Sequence, residues 1–420
     1  MRQTKNPETR TFSSYPAGDY QTIVAEDNER LKEYEFCAQL TADTAECIDK
    51  LIDTPTHLPN DTLVLSNGNL VAKTITSPTN IGLTFASLVA MRDMGLHTAE
   101  HTNATTGAML MTLERLENDN GLFYNWYDTN TGAAITPPEG KIISTIEGGW
   151  AYTGLLILKN AGCGEQSTRA AALLDAMDIT RLFDRKKNLF YGHYNSSLGQ
   201  FSNYHNDMLL SETRIASYIA MSKGKIEPSH FNQLGRFAPA GKPQSAQAKT
   251  GAIKSWGGSM FEDLMPRLFL TQGEPGEIEY AQREHIQNQI EYGQRYLNGS
   301  WGVSVCRTPD GYKELGVPAN AAEGGYPAGT VITAHAKLLA LPFAREQVIA
   351  STMQDCERYP GYNKPGFGIC DAVDTANGKM SDAYLVLDQA MILLALYNDW
   401  YKDAGGMGRY VSELSLALAA

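Results

Sequence analysis

The stretch Ser144-Thr-Ile-Glu-Gly-Gly-Trp-Ala-Tyr-Thr-Gly-Leu-Leu-Ile-Leu-Lys159 sets the pattern for the whole chain. It follows a long loop. It opens on Ser with Glu three residues on, the spacing of a capping box, in which both side chains satisfy free backbone N–H groups at a helix start. Its apolar run, Ala151–Leu158, is far shorter than the about 20 residues a membrane span needs. The same alternation of loop and helix recurs outward in both directions. Helical spacing of apolar residues predicts helices over Thr22–Asp53, Ile81–Leu96, Thr105–Leu116, Ile146–Lys159, Thr168–Leu182, Leu209–Met221, Ser259–Leu270, Pro275–Leu297, Val331–Leu341, Arg345–Glu357, Ala383–Trp400 and Arg409–Leu418. Period-two alternation is rare, with Thr62–Leu65 and Val71–Ile75 the main strand candidates. Four long loops, 120–145, 184–208, 236–258 and 298–330, are rich in Gly, Tyr, Asn and Trp.

About twelve helices without a composition break point to an all-α fold: six helical hairpins closed into an (α/α)6 barrel, or toroid. The long loops then gather at one end and shape a cleft, since loops of that length in a compact domain are more often functional than idle. A helical repeat array would show a fixed period of 20–50 residues, and none is found. Residues 1–20 are polar and read as an N-terminal arm, and 21–420 as one catalytic barrel domain.

The chain has 420 residues, of which 43% are hydrophobic and 20% charged, with a formal charge of −12. That supports a large core and disfavours disorder. It argues against nucleic acid as a partner, because phosphate neutralisation needs surplus Lys and Arg. The start, Met-Arg-Gln-Thr-Lys, has no apolar leader core, which fits a cytoplasmic chain or one whose leader has been replaced. The six cysteines form no CxxC and no zinc spacing with His, and read as small core residues. HExxH, GxSxG, P-loop and dinucleotide fingerprints are missing from the sequence, so neither a metal nor a cofactor is expected. His97 and His101 flank an exposed, polar turn.

Carboxylates in aromatic surroundings remain. Glu147 starts the quoted helix. Glu212 lies in Asn206-Asp-Met-Leu-Leu-Ser-Glu-Thr-Arg214, and Glu262 in Ser255-Trp-Gly-Gly-Ser-Met-Phe-Glu-Asp263, each where a loop meets a helix. Glycosidic cleavage needs such a set: one carboxylic acid protonates the leaving oxygen, and a second carboxylate activates water or attacks the sugar. The bland reading competes. Ser144 with Glu147, and Ser259 with Glu262, both fit S-x-x-E caps. Glu212 has no Ser or Thr three residues before it, so its functional reading is the stronger one. Arg214 fits a structural bridge to an acid. The loops also supply Tyr124, Asn125 and Trp126 in Phe123-Tyr-Asn-Trp-Tyr-Asp128, then Tyr194, Trp256, Trp301, Asp310, Tyr312 and His335. Their rings suit the C–H faces of sugars and their polar groups the hydroxyls, although any single ring could be core.

Several motifs, in order, resemble the glucoamylase-like (glycoamylase) family: Thr76-Ser-Pro-Thr-Asn-Ile-Gly-Leu83, Gly121-Leu-Phe-Tyr-Asn-Trp-Tyr-Asp-Thr129, Ser144-Thr-Ile-Glu147 and Leu210-Ser-Glu-Thr-Arg-Ile-Ala216. So do Leu234-Gly-Arg236, Ser255-Trp-Gly-Gly-Ser-Met-Phe-Glu-Asp-Leu-Met-Pro266, Trp301-Gly-Val-Ser304, Asp310-Gly-Tyr312, Gly366-Phe-Gly368, Asp371-Ala-Val-Asp374 and Leu387-Asp-Gln389. The resemblance covers residues 75–400 and is most specific at Trp256–Glu262. It implies an (α/α)6 barrel akin to family 144 endo-β-1,2-glucanases, to relatives releasing sophorose, and to the transglycosylating domain of cyclic β-1,2-glucan synthases. Such hydrolases are metal-independent and inverting, and their acids resemble Glu212 and Glu147 here. Two departures stand out. Ile146-Glu147-Gly148 replaces a more usual Asp-Ser-Gly-like run, and Val305-Cys306 stands where the synthases carry a Glu, which argues against a retaining transglycosylase.

The expectation is therefore an inverting hydrolase of β-glucan, β-1,2-linked by resemblance, with an oligo- or polysaccharide as partner. It would be a monomer, periplasmic or secreted by the same resemblance. Glu212 is the expected acid. Glu147, or a late aspartate, Asp388 or Asp374, would activate water. Glu262 with Trp256 would bind sugar. Alternatives are a non-catalytic periplasmic glucan-binding protein, or a hydrolase, transglycosylase or sugar epimerase for another bacterial carbohydrate.

Overall fold

The computed structural model describes residues 17–66, 69–236, 253–271 and 274–415, with side chains from residue 28 onward. The chain divides into two compact units, Met1–Gln39 and Leu40–Ala420. The described residues are mostly helical. In chain order the helices are α1 (Ala17–Ile52), α2 (Pro78–Asp93), α3 (Ala99–Leu113), α4 (Thr145–Asn160), α5 (Glu165–Ala176), α6 (Arg214–Ser222), α7 (Met260–Leu264), α8 (Gly276–Tyr296), α9 (Ala334–Leu338), α10 (Leu341–Arg358), α11 (Val386–Trp400) and α12 (Ser412–Ser415). The arm expected over 1–20 lies outside the described residues as far as residue 16, and Ala17 is already helical. Residues 416–418 of the last expected helix, and 237–252 of the third long loop, also lie outside them.

Local chemistry explains where the central helices begin. Ser77 accepts the N–H of Asn80 at 3.2 Å, and Pro78 fills the first position of α2, where a missing N–H costs nothing. Ser144 caps α4 by accepting from the Glu147 N–H. Both helices are buried nearly all round, as a helix without a polar face must be. They touch backbone to backbone. A methyl on Gly82 would come within 2.2 Å of the Trp150 carbonyl oxygen, and one on Gly154 within 2.2 Å of the Gly82 carbonyl oxygen. α2 also packs on α11, α4 on α6, and α9 on both α7 and α11. α3 and α5 pack on α2 and α4 respectively, α8 on α7, and α10 on α9 and α11.

Short strands in the loops aim the central helices. Ile75–Thr76 runs into α2 and pairs with Tyr127–Asp128. Ile142–Ser144 runs into α4 and pairs with His193–Asn195, which pairs in turn with Gln200–Phe201. Val331–Ile332, leading to α9, pairs with Val373–Asp374. Ala383–Leu385, leading to α11, pairs with Thr62–Ser66, whose other edge takes Asn69–Lys73. The last hairpin is the one read from the sequence. The others have two or three residues, too few to show a period.

Several helices are shorter than expected, for identifiable reasons. Pro266 turns the end of Ser259–Leu270 into a 3₁₀ turn, Met265–Leu268. Residues 331–332 and 383–385 are strands because partners are there to pair with them. Leu209 donates to the Gly235 carbonyl oxygen at 3.1 Å, so helix α6 starts only at Arg214. Five of the six cysteines are buried, as their reading as core residues requires.

Replacing Gly82 or Gly154 by alanine gains about 1 kcal/mol of helix propensity but forces two backbones apart. We expect a net loss of about 1–3 kcal/mol in urea unfolding. A gain in either variant would refute the close crossing.

Candidate active site

Four of the acids singled out in the sequence sit at or just before the start of a central helix, whereas Asp374 ends the short strand Val373–Asp374, its carboxylate accepting from the Thr330 hydroxyl and the Asn377 amide. Glu147 is in the first turn of α4, Glu262 in that of α7, Asp388 in that of α11, and Glu212 two residues before α6. Glu147, Glu212 and Glu262 come together, since the charges of Glu262 and Glu147 both act on Glu212.

Glu212 has the least structural work to do. One oxygen, Oε2, accepts the Trp150 indole N–H at 3.1 Å. Burial, reinforced by the two neighbouring glutamates, pushes its carboxyl from the usual 4.5 up to about 8. Its neighbour Arg214 fixes the approach to α6. Arg214 is buried, bonds Glu274 at 3.0 Å, lies 3.7 Å from the Asp263 carboxylate and donates to the Asp263 carbonyl oxygen. Asp263 in turn lies 3.2 Å from His285 Nδ1. This network ties the start of α6 to α7, and with it Glu212 to Glu262.

Glu262 is a cap. It accepts from the Ser255 hydroxyl at 2.9 Å and from the N–H groups of Gly257 and Ser259, completing the capping box of α7. Burial lifts it to about 7 in spite of these donors. With its oxygens so engaged, it shapes the loop that holds Trp256, which is 52% exposed. Glu147 departs from the same motif. The Ser144 N–H goes to Asn125 Oδ1 at 3.2 Å, and Glu147 reaches across instead to the Thr79 N–H of α2 at 2.8 Å. Burial also raises the Glu147 carboxyl.

Asp388 lies apart from these three, nearly buried, beside Asp371 and His335. Asp61 relates the two groups: its charge acts on Glu147 and also on Asp371 and Asp388. Asp61 is held by Asn80 at 3.2 Å and Lys73 at 3.2 Å. Of the proposed sugar contacts, Tyr312 and Trp256 are exposed, while Trp126 and Tyr194 are partly so. Tyr194 packs against Phe201, which stacks on Tyr191 at 4.5 Å, giving the 193–201 hairpin an aromatic face beside the strand into α4. Three of the expected sugar contacts are buried: Trp301 is 2% exposed and lies under Lys337, Tyr124 is 6% exposed beside Ser196 and Lys141, and His335 is 1% exposed. Asn125 spends its oxygen on Ser144. Asp310 stands exposed in the hairpin turn beside Lys313, at 3.6 Å.

The sequence reading missed Trp150, Tyr326, Asp61 and Asp371. Trp150 follows Glu147 by three residues, which puts it on the same helix face. Tyr326 lies over Gly257, where a methyl would come within 2.0 Å of its ring, and the charges of Glu262 and Glu212 act on its phenol. Nothing in the sequence pairs Tyr326 with Gly257. Among the described residues two clusters bring potential cation donors within 4.8 Å of one another: Asp49, His97 and His101, and His335, Asp371 and Asp388. In the first, Asp49 already bonds His97 at 3.0 Å.

Residues 204–403 match the Glycoamylase family model, described as "Putative glucoamylase", and the motif resemblance is thereby borne out. Over 205 residues the chain is 30% identical to the cyclic beta-(1,2)-glucan synthase NdvB of Rhizobium meliloti, covering 47% of this chain but only 7% of that protein's length. In solved structures, the fold is similar to that of an endo-beta-1,2-glucanase from Chitinophaga pinensis (TM-score 0.73, 15% identity, 92% of this chain and 97% of that one). It is likewise similar to a "putative glucoamylase" from Bacteroides caccae (TM-score 0.74, 16% identity, 92% and 98%).

The raised Glu212 carboxyl has a thermodynamic consequence. The folded chain keeps this proton to about pH 8, whereas the unfolded chain releases it near 4.5. Folding stability from this group is therefore full below 4.5 and falls as pH rises towards 8. Glu212→Gln, which keeps an acceptor for Trp150, should have a higher Tm than the wild type at pH 8 and a similar one at pH 4. Equal differences at both pH values would contradict the raised carboxyl.

Proposed function

We propose that this chain, glycoamylase-like from residue 204 to 403, is an inverting hydrolase of β-1,2-glucan built on an (α/α)6 barrel. The barrel reading is supported by the succession of contacts α2–α4, α4–α6, α7–α9, α9–α11 and α11–α2, with Arg214 and Asp263 joining α6 to α7. One arrangement carries the activity: Glu212 accepts a single hydrogen bond, from Trp150, and its burial beside Glu262 and Glu147 raises it to about 8, so that it holds its proton at neutral pH. A general acid must hold its proton until the glycosidic oxygen needs it, and burial supplies that here. Trp150 orients it.

Glu212 protonates the leaving oxygen, directly or through a substrate hydroxyl. We assign water activation to Asp388 rather than Glu147, since Glu147 is anchored to the start of α2. Trp256, Tyr312 and the 193–201 hairpin offer exposed rings for sugar faces. An uncharged glucan needs no basic groove, which suits a chain of charge −12. The likeness to a glucan synthase favours a second reading, retaining transglycosylation. The first-formed product separates the two: inversion at a β-linkage gives the α-anomer, and retention the β-anomer.

Incubating the chain with β-1,2-glucan and counting reducing ends should show hydrolysis. Glu212→Gln should lower the rate by about 10²–10⁴-fold, the usual share of acid–base catalysis, with glucan binding intact. A variant keeping more than a few per cent of the rate would remove Glu212 from the acid role.

A further inference from the structure

Asp371 and Asp388 are 2% and 3% exposed, and one oxygen of each, Asp371 Oδ1 and Asp388 Oδ2, is buried with no hydrogen-bond partner. Two orphaned carboxylate oxygens in one dry cluster would be among the most costly arrangements a fold can hold. Among the groups around them, the Arg307 charge favours an ionised Asp371, but none donates a hydrogen bond to either orphaned oxygen. The second oxygen of Asp371 accepts the backbone N–H of Arg307. Asp61 adds a further negative charge towards both. The thiols of Cys306 and Cys370 and the phenols of Tyr312 and Tyr362 are uncharged at neutral pH: burial raises the two thiols and Tyr362, and desolvation of its hydroxyl with the charge of Asp388 raises Tyr312, whose ring is exposed. Lys313 sits close enough to act on Cys306, but pairs with Asp310 at 3.6 Å. His335 Nδ1 stands 3.5 Å from Asp388 Oδ2, yet burial takes the imidazole down to about 3, so it brings no charge.

We infer that Asp371 and Asp388 share one buried proton between their two orphaned oxygens, and that Asp371 is thereby a positioning residue for Asp388. A single proton gives both oxygens a partner and leaves the pair with one negative charge. One oxygen of each carboxyl lies within 4.8 Å of the other's, in the cluster that also holds His335. Burial raises Asp371 to about 6, and burial with the charge of Asp371 raises Asp388 well beyond the ordinary range. The pair titrates as a unit, in two steps.

The catalytic consequence rests on the glycosidase reading above. The water oxygen forms its bond to the anomeric carbon while the glycosidic C–O bond breaks. The water proton enters the pair, which passes from one proton to two, and Glu212 gives its proton to the leaving oxygen. Solvent exchange then returns one proton from the pair and one to Glu212, so the count closes.

Infrared difference spectra of the full chain at neutral pH test the shared proton without substrate. Beyond the bands of Glu212 and Glu262, which every variant shares, the wild type should show one further protonated-carboxyl C=O band that is lost in both Asp371→Asn and Asp388→Asn, because each asparagine donates to the remaining carboxylate. Survival of that further band in either variant overturns the inference. So does a wild-type band that emerges only after chelation, which would put a cation in the cluster. Should a variant not fold, wild-type chain with ¹³C-labelled aspartate decides by NMR: two carboxyl carbons moving together in two steps support the pair, and independent single steps overturn it. In kinetics with β-1,2-glucan, Asp371→Asn should lower kcat at neutral pH and shift its acid limb upward, since an amide is a weaker donor than a carboxylic acid. A lower kcat with an unmoved limb indicates a structural role only and refutes the positioning role. Absence of hydrolysis in the wild type would defeat the glucanase reading and leave the infrared result standing.

Discussion

The crossing of α2 and α4 at Gly82 and Gly154 is the constraint on which the rest hangs. Any side chain there would meet backbone, not a flexible neighbour. Because the helices approach so closely, Glu147 on α4 can reach the free Thr79 N–H of α2. The same register turns Trp150 towards the start of α6, where its indole finds Glu212. One backbone contact thus sets the orientation of two carboxyls and the ring that holds one of them. The Arg214–Asp263–His285 network does the corresponding work for α7 and Glu262.

Two opposing fields act on these acids. A helix start favours a negative charge through its free N–H groups and dipole. Burial disfavours that charge. Burial wins at Glu212, with one side-chain donor, and also at Glu262, where three donors leave the carboxyl lifted to about 7. Burial thus keeps protons on the Glu212 group towards neutral pH, a state in which carboxyls can sit close without mutual repulsion.

How far the site was legible varied from residue to residue. Glu212 stood out because it lacked a capping partner, and the structure gives it none. Ser259 with Glu262 reads as a capping box and is one. Ser144 with Glu147 has the identical spacing, but Asn125 takes the Ser144 N–H and frees Glu147 for another helix. Local spacing cannot separate these two outcomes, since the competitor comes from nineteen residues away. The aromatic residues show the same limit. Trp256 and Trp301 read alike in their loops, yet one is exposed and the other lies under Lys337.

What the sequence determined by itself was whatever depends on near neighbours: about a dozen helices, their Ser and Pro starts, the 62–73 hairpin, and the motifs that carry the family resemblance. Apolar period and capping chemistry act within one or two turns, so they are visible in the chain as written. Only the tertiary structure decided which acids are dry, which are spent on caps, and which share a space. It alone brought Trp150 to Glu212 and Asp371 to Asp388, 62 and 17 residues apart. The cost of burying a charge depends on everything packed around it, and that surrounding is assembled from all parts of the chain.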